Sequence, residues 1–182
     1  MYRTDSWSSF VPHLEKTLAI HGWIILHIKD MIKILKSITV YSLCVLYIFT
    51  GVKHFTDLDF FLVIIPPYLP YPELLVYVSG FFEILFGVLL IPIKTRKYAA
   101  LGLVILLIAV FPANIYLFNS EIAQNSYGIS RQFALIRLLY QIPLIVIAYW
   151  HSRENSSKKF DLIAIILFIP TIKDFLLFIF IN

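Results

Sequence analysis

Charge and cysteine are what this sequence has least of. Only 14% of its 182 residues are charged, against roughly a quarter in an ordinary soluble domain. A soluble fold of this size leaves much of its area in water, and 60% apolar residues are more than it can hide. The single cysteine, Cys44, lies in an apolar run, which excludes an internal disulfide and the cysteine pair of a thiol relay. Its expected role is inert packing. No phosphate-cradling glycine loop, nucleophile elbow or zinc-helix pattern occurs, which argues against a self-contained kinase or hydrolase. His13, His21, His27 and His151 show no metal spacing, so no metal site is expected. The net charge of +4 sits in short clusters at the ends of apolar runs, not on a basic face with interleaved aromatics. A nucleic-acid partner is therefore not expected.

What the sequence does hold is long apolar stretches, at 32–52, 74–93, 98–118 and 133–150. Each is near the roughly 20 residues that cross about 30 Å of hydrocarbon at about 1.5 Å per residue. Isolated strands would leave backbone groups unpaired in lipid, so all four are expected to be helices. The expected fold is all-α, an integral membrane four-helix bundle over residues 31–153 with the bilayer as its solvent. Residues 154–182 join a polar linker to a fifth hydrophobic stretch at 160–181. Pro170 and the adjacent Lys173 and Asp174 make that stretch a costly lone span, so crossing and lying at the interface both stay open. Residues 1–30 form either an extension or an interfacial helix reaching over 14–36, and Met31 is a second plausible start.

Lysine and arginine set the expected orientation. Lys29, Lys33 and Lys36 precede the first stretch, Lys94, Arg96 and Lys97 join the second to the third, and Arg153, Lys158 and Lys159 follow the fourth. The alternate loops hold only Lys53 and Arg131 beside Asp57, Asp59, Glu73 and Glu121. A multi-pass protein with a cytoplasmic amino terminus is expected. The outer loop, HFTDLDFFLVIIPPYLPYPE, is unusually apolar. Asp57 can cap a short helix running to Ile65, after which Pro66, Pro67, Pro70 and Pro72 favour an extended path. Pro66, Pro67, Tyr68 and Pro70 are expected to form a lid over the outer mouth of the bundle.

The informative side chains are those that lipid rejects. Glu83 lies roughly 15 Å below Glu73, Arg137 roughly 9 Å below Arg131, and Asn114 roughly 6 Å below Phe118. Gln141 follows Arg137 by one turn on the same face, and His54 ends the first stretch on the same side. These five are expected to gather in the outer half, with Glu83 and Arg137 joined by a charge-assisted bond. A purely structural reading stands beside this one. Gly80, Glu83 and Gly87 fall on one stripe, as do Gly102, Ala109 and Ala113, and small residues so spaced mark close helix packing. Tyr41, Tyr47, Tyr77, Tyr98, Tyr140, Tyr149 and Trp150 are expected to be packing residues or interface anchors.

The run GVKHF at 51–55, then PPYLPYP at 66–72, SGFFEILFG at 79–87 and VFPANI at 110–115, resembles the DoxX family of small bacterial membrane proteins. The likeness covers about residues 31–153, with His54, Pro67, Glu83 and Asn114 at the motif positions. The resemblance implies a four-helix protein of the bacterial inner membrane. Some members of that family are subunits of, or resemble, thiosulfate:quinone oxidoreductase, others are tied to oxidative-stress complexes, and distant relatives assist maturation of other proteins. The first expectation is thus a component of a membrane oxidoreductase system. It would hold a quinone-sized ligand and act, if in catalysis at all, as an accessory subunit. No flavin, haem or iron–sulfur motif occurs, so no covalent cofactor is expected, and electrons would come from a partner subunit. The alternative is a non-enzymatic assembly factor for a membrane complex. A small-molecule transporter is weaker, since no internal repeat is visible and only Pro112 and Pro143 suggest kinks.

Overall fold

The computed structural model describes the backbone of residues 5–181 and the side chains of residues 15–171 and of Lys173. All described secondary structure is helical. The elements are α1 (Asp5–Thr56), α2 (Leu58–Leu62), α3 (Pro72–Leu89), α4 (Ile93–Asn119), α5 (Glu121–Tyr127), α6 (Arg131–Ser152) and α7 (Lys158–Ile181). Among the described residues, four helices are long and apolar enough to cross a membrane: α1, α3, α4 and α6.

The chain divides into two compact units, Met1–Ser37 and Ile38–Asn182, and α1 runs through both. The division falls at Ser37 rather than at Met31, because the helix is unbroken at Met31 and first buries side chains at Thr39 and Val40. In the first unit Leu18, Ile20, Trp23 and Leu26 are all exposed. At about 100° per residue these positions point around the axis rather than along one stripe. Trp23 packs against the His27 ring at 3.8 Å, and Lys33 pairs with Asp30 at 3.6 Å.

In the second unit, helix ends follow local chemistry. Pro72 opens α3, where its missing N–H costs nothing. The α3–α4 turn is closed by its basic residue: Arg96 donates from Nε to the Leu90 carbonyl (2.9 Å) and from Nη2 to the Ile91 carbonyl (3.0 Å). These carbonyls lack intrahelical partners, and a cation suits the negative end of a helix. The Ser120 hydroxyl accepts from the Ala123 N–H and caps α5, which Gly128 terminates at φ 74. The buried Asp161 carboxylate of α7 accepts from Trp150 Nε1 of α6 at 2.7 Å and from the Ser156 hydroxyl.

Two apolar clusters bracket the interior. The larger joins Leu43 and Leu46 of α1 to Leu90, Leu103 of α4, Ile147 of α6 and Phe168 of α7. The smaller gathers Ile64, Leu117, Ala123, Tyr127 and Ala134 around α5. Val45, Ile105, Ile108, Phe81 and Leu139 point outward. An exposed apolar girdle of this kind is what lipid, not water, solvates.

The loop after α1 departs from expectation. The short helix ends at Leu62, not Ile65, and Asp57 makes no side-chain cap; its carboxylate pairs with Lys53 at 3.9 Å instead. Residues 63–71 then turn rather than extend, with the Leu69 N–H on the Pro66 carbonyl at 3.0 Å. Proline fixes φ near the value that turns share with extended backbone, so its spacing did not discriminate between them.

Candidate functional site

Helices α1 and α3 touch backbone to backbone. A Cβ added to Gly51 would lie 2.7 Å from the Gly80 carbonyl oxygen, and one added to Gly80 would lie 2.5 Å from His54 Cβ. The expected small-residue stripe of α3 is therefore a helix contact, and it aims Glu83 inward. The α4 seam is only partly so. Gly102 receives the Phe86 ring and Ala113 faces the interior, but Ala109 is exposed.

Between the two apolar clusters lies a cavity of about 640 Å³. His54, Glu83, Asn114, Arg137 and Gln141, the five residues singled out from the sequence, all line it. Its walls are otherwise mostly apolar: Phe61, Ile64, Val76, Leu107, Val110, Phe133 and Leu144. The expected proline lid does not line it. Pro66 is buried elsewhere, and Pro67, Tyr68 and Pro70 are exposed. The cover comes instead from Phe61, Ile64 and Ile65, just before the prolines, and from Gly128, Ile129 and Ser130 of the α5–α6 turn.

One side of the cavity carries a closed hydrogen-bond chain. Gln141 Nε2 donates to the Leu107 carbonyl (2.5 Å), and Asn114 Nδ2 donates to Gln141 Oε1 (2.6 Å). Arg137 donates from Nε to Asn114 Oδ1 (3.1 Å) and from Nη1 to the Tyr127 hydroxyl (3.0 Å), with its guanidinium 5.3 Å from the Tyr127 ring centroid. Pro112 interrupts the α4 hydrogen-bond ladder near Leu107, a region where a side chain can take up a carbonyl. Burial pushes the Tyr127 phenol up from its ordinary value, against the pull of Arg137, so it accepts from the guanidinium as a neutral hydroxyl.

The opposite side is open. The expected direct Glu83–Arg137 pair is not formed: the Arg137 donors above go to Asn114 and Tyr127, and the ring that faces Glu83 is His54, at 3.6 Å from Nδ1 to Oε2. That is too long for a hydrogen bond, and Nδ1 already donates to the Thr50 carbonyl at 2.8 Å. The His54 ring is held by stacking on Phe61 at 3.7 Å. Among the described residues, Glu83 Oε2 and the Tyr47 hydroxyl are buried without a hydrogen-bond partner. Each such atom costs about 1–3 kcal/mol, so a pair beside one cavity calls for a reason.

Tyr47 is expected only as a packing residue or interface anchor, and Thr50, Ser79 and Tyr127 are not among the expected site residues. A signal for the first two was present. Tyr47, Thr50 and His54 sit at i, i+3 and i+7, one stripe of α1, and all three line the cavity. Tyr127 had none, since its place depends on how α5 folds back over α4.

Fold and site together define an all-helical protein with four helices able to cross a membrane and a mostly apolar cavity with a polar interior. The chain belongs to the family described as Domain of unknown function (DUF8561), which matches residues 43–152. All five sequence-selected residues fall inside that match, while α7 and the first unit lie outside it. No curated protein and no solved structure matches the chain.

Proposed function

We propose that the chain is a DoxX-like protein of the bacterial inner membrane that holds a quinone-sized ligand and serves as a component of a membrane oxidoreductase system. The observation that carries this reading is the cavity of about 640 Å³, apolar in most of its wall and containing all five lipid-averse side chains. Sites for small organic molecules are typically 300–1,000 Å³, with a few placed polar groups in apolar walls. A flat ring with an apolar tail matches that lining. In this reading α1, α3, α4 and α6 form a four-helix bundle with the amino terminus in the cytoplasm. Support comes from Lys94, Arg96 and Lys97 at the turn opposite the cavity mouth. α7 is read as a fifth crossing. Its 24 residues reach about 36 Å, and Asp161, Ala164, Phe168 and Thr171 form one buried stripe along it.

The test is extraction of lipid-soluble quinone from protein purified in mild detergent. Near-stoichiometric quinone is expected from the unaltered protein, and little from Ala113→Trp, which fills the cavity. Absence of quinone from both proteins rules the reading out. The closed Arg137–Asn114–Gln141 chain favours one second reading, a non-enzymatic assembly factor whose polar groups set helix register. Cross-linking to one stoichiometric partner, with Ala113→Trp harming neither yield nor partner activity, would select it.

A further inference from the structure

We infer, resting on the function proposed above, that the ligand lies ring inward in the cavity, with one ring oxygen hydrogen-bonded to the Tyr47 hydroxyl. Its apolar tail leads out towards the α5–α6 turn. The cavity has two distinguishable ends. Tyr47, Leu107 and Leu144 belong to the larger apolar cluster and close the inner end. Ile64 belongs to the smaller cluster, Ala113 and Ile129 pack against it, and these three line the outer end. Tyr47 lies about 14 Å along α1 from the helix end at Thr56. At that depth Tyr47 is 5% exposed, and its hydroxyl is buried with no hydrogen-bond partner among the described residues.

A phenylalanine would fill the same place without burying an unmet polar atom. Nor can the helix shift to find the hydroxyl a partner. A Cβ at Gly87 would lie 2.9 Å from Ile48 Cγ1 and 3.3 Å from the Cys44 carbonyl oxygen, and one at Gly51 would lie 2.7 Å from the Gly80 carbonyl oxygen. α1 therefore rests on α3 both before and after Tyr47. The nearby Thr50 hydroxyl donates to the Leu46 carbonyl at 2.9 Å. What meets the Tyr47 hydroxyl comes from the cavity that it lines. Glu83 Oε2 is also unmet, on α3, but the role of a carboxyl changes with its proton. A phenol both donates and accepts, so Tyr47 can hold a ring oxygen whether that oxygen is a carbonyl or a hydroxyl. Leu107 and Leu144 give the ring its apolar contact, while Phe61, Ile64 and Ile129 give the tail its own.

Calorimetric titration of the detergent-solubilised full chain with a decyl-substituted benzoquinone tests this, comparing the unaltered protein with Tyr47→Phe. The variant is expected to bind about tenfold more weakly. Its unfolding midpoint without ligand should hold or rise, since the hydroxyl it loses had no partner. Affinity and stability thus move apart, whereas a hydroxyl that served the fold would lower the midpoint. Equal binding by the two proteins shows that water alone meets the hydroxyl, and overturns the inference while the proposed function stands. A lower midpoint overturns it as well. The same quinone with a photoreactive group at the tip of its tail reads the orientation on the unaltered protein. Labelling should fall within residues 61–65 or 128–130, and labelling of Leu107 or Leu144 refutes the ring-inward pose. If the unaltered protein binds no quinone, the pose and the proposed function fail together.

Discussion

The α1–α3 crossing is the element on which the site's geometry depends, and Gly80→Ala is its sharpest test. A Cβ at position 80 would meet His54 Cβ at 2.5 Å, His54 Cγ at 3.0 Å and the Gly51 carbonyl oxygen at 3.0 Å. Carbon atoms rest about 3.5–4.0 Å apart, so the helices must separate by roughly 1 Å. No rotamer change relieves this, because the nearest obstacle is a Cβ and another is backbone oxygen. Overpacking of this kind costs about 1–3 kcal/mol, and alanine's better helix propensity returns about 0.5–1 kcal/mol. A net loss of about 1–2 kcal/mol is expected. It can be read as a lower midpoint when the folded protein in mild detergent is titrated with a denaturing detergent and followed by circular dichroism. Gly22→Ala is the control: nothing lies within 4 Å of the added carbon, so stability should hold or rise slightly. If Gly80→Ala is as stable as Gly22→Ala, the two helices do not cross in contact, and the inward aim of Glu83 is wrong.

Asn114→Leu removes the hinge of the polar chain, leaving Gln141 Oε1 and Arg137 Nε without the partners shown. At about 0.6–1.7 kcal/mol for each interhelical bond, the loss should be about 1–3 kcal/mol by the same titration. A stability unchanged from the parent would mean those contacts carry no load. Trp150→Phe deprives the buried Asp161 of its 2.7 Å donor. A bond to a charged group contributes about 1.5–3 kcal/mol, so α7 should loosen from α6. Limited proteolysis should then cut faster in the 153–157 linker, and unchanged cutting would show that α7 is held by its apolar stripe alone.

Much of the framework could be read from the chain because lipid leaves so few options. Four apolar stretches predict four long helices, and α3, α4 and α6 lie within a few residues of where hydropathy puts them. α1 does not, since it continues far upstream of residue 32 without a break in the ladder. Apolarity marks where a helix can cross, not where it stops. The gathering of Glu83, Asn114, Arg137, Gln141 and His54 was also readable, because each is costly in lipid and each recurs at helical spacing toward the same end. Their bonding was not. Opposite charges at similar depth suggest that Glu83 and Arg137 meet, yet depth ignores azimuth, and the short loop helix α5 brings Tyr127 to the guanidinium.

Composition and period thus determined by themselves that the protein is helical, that four segments suit a bilayer and that a handful of polar groups face inward. Each follows from the cost of exposing one residue type, or one unpaired backbone group, to hydrocarbon. Only the tertiary structure decided which polar atoms satisfy one another and which are left for something else. Hydrogen bonds depend on ångström-scale distance and direction across helices, set here by the glycine contact of Gly51 with Gly80 and by the packing of α5 against Leu117 and Ala134.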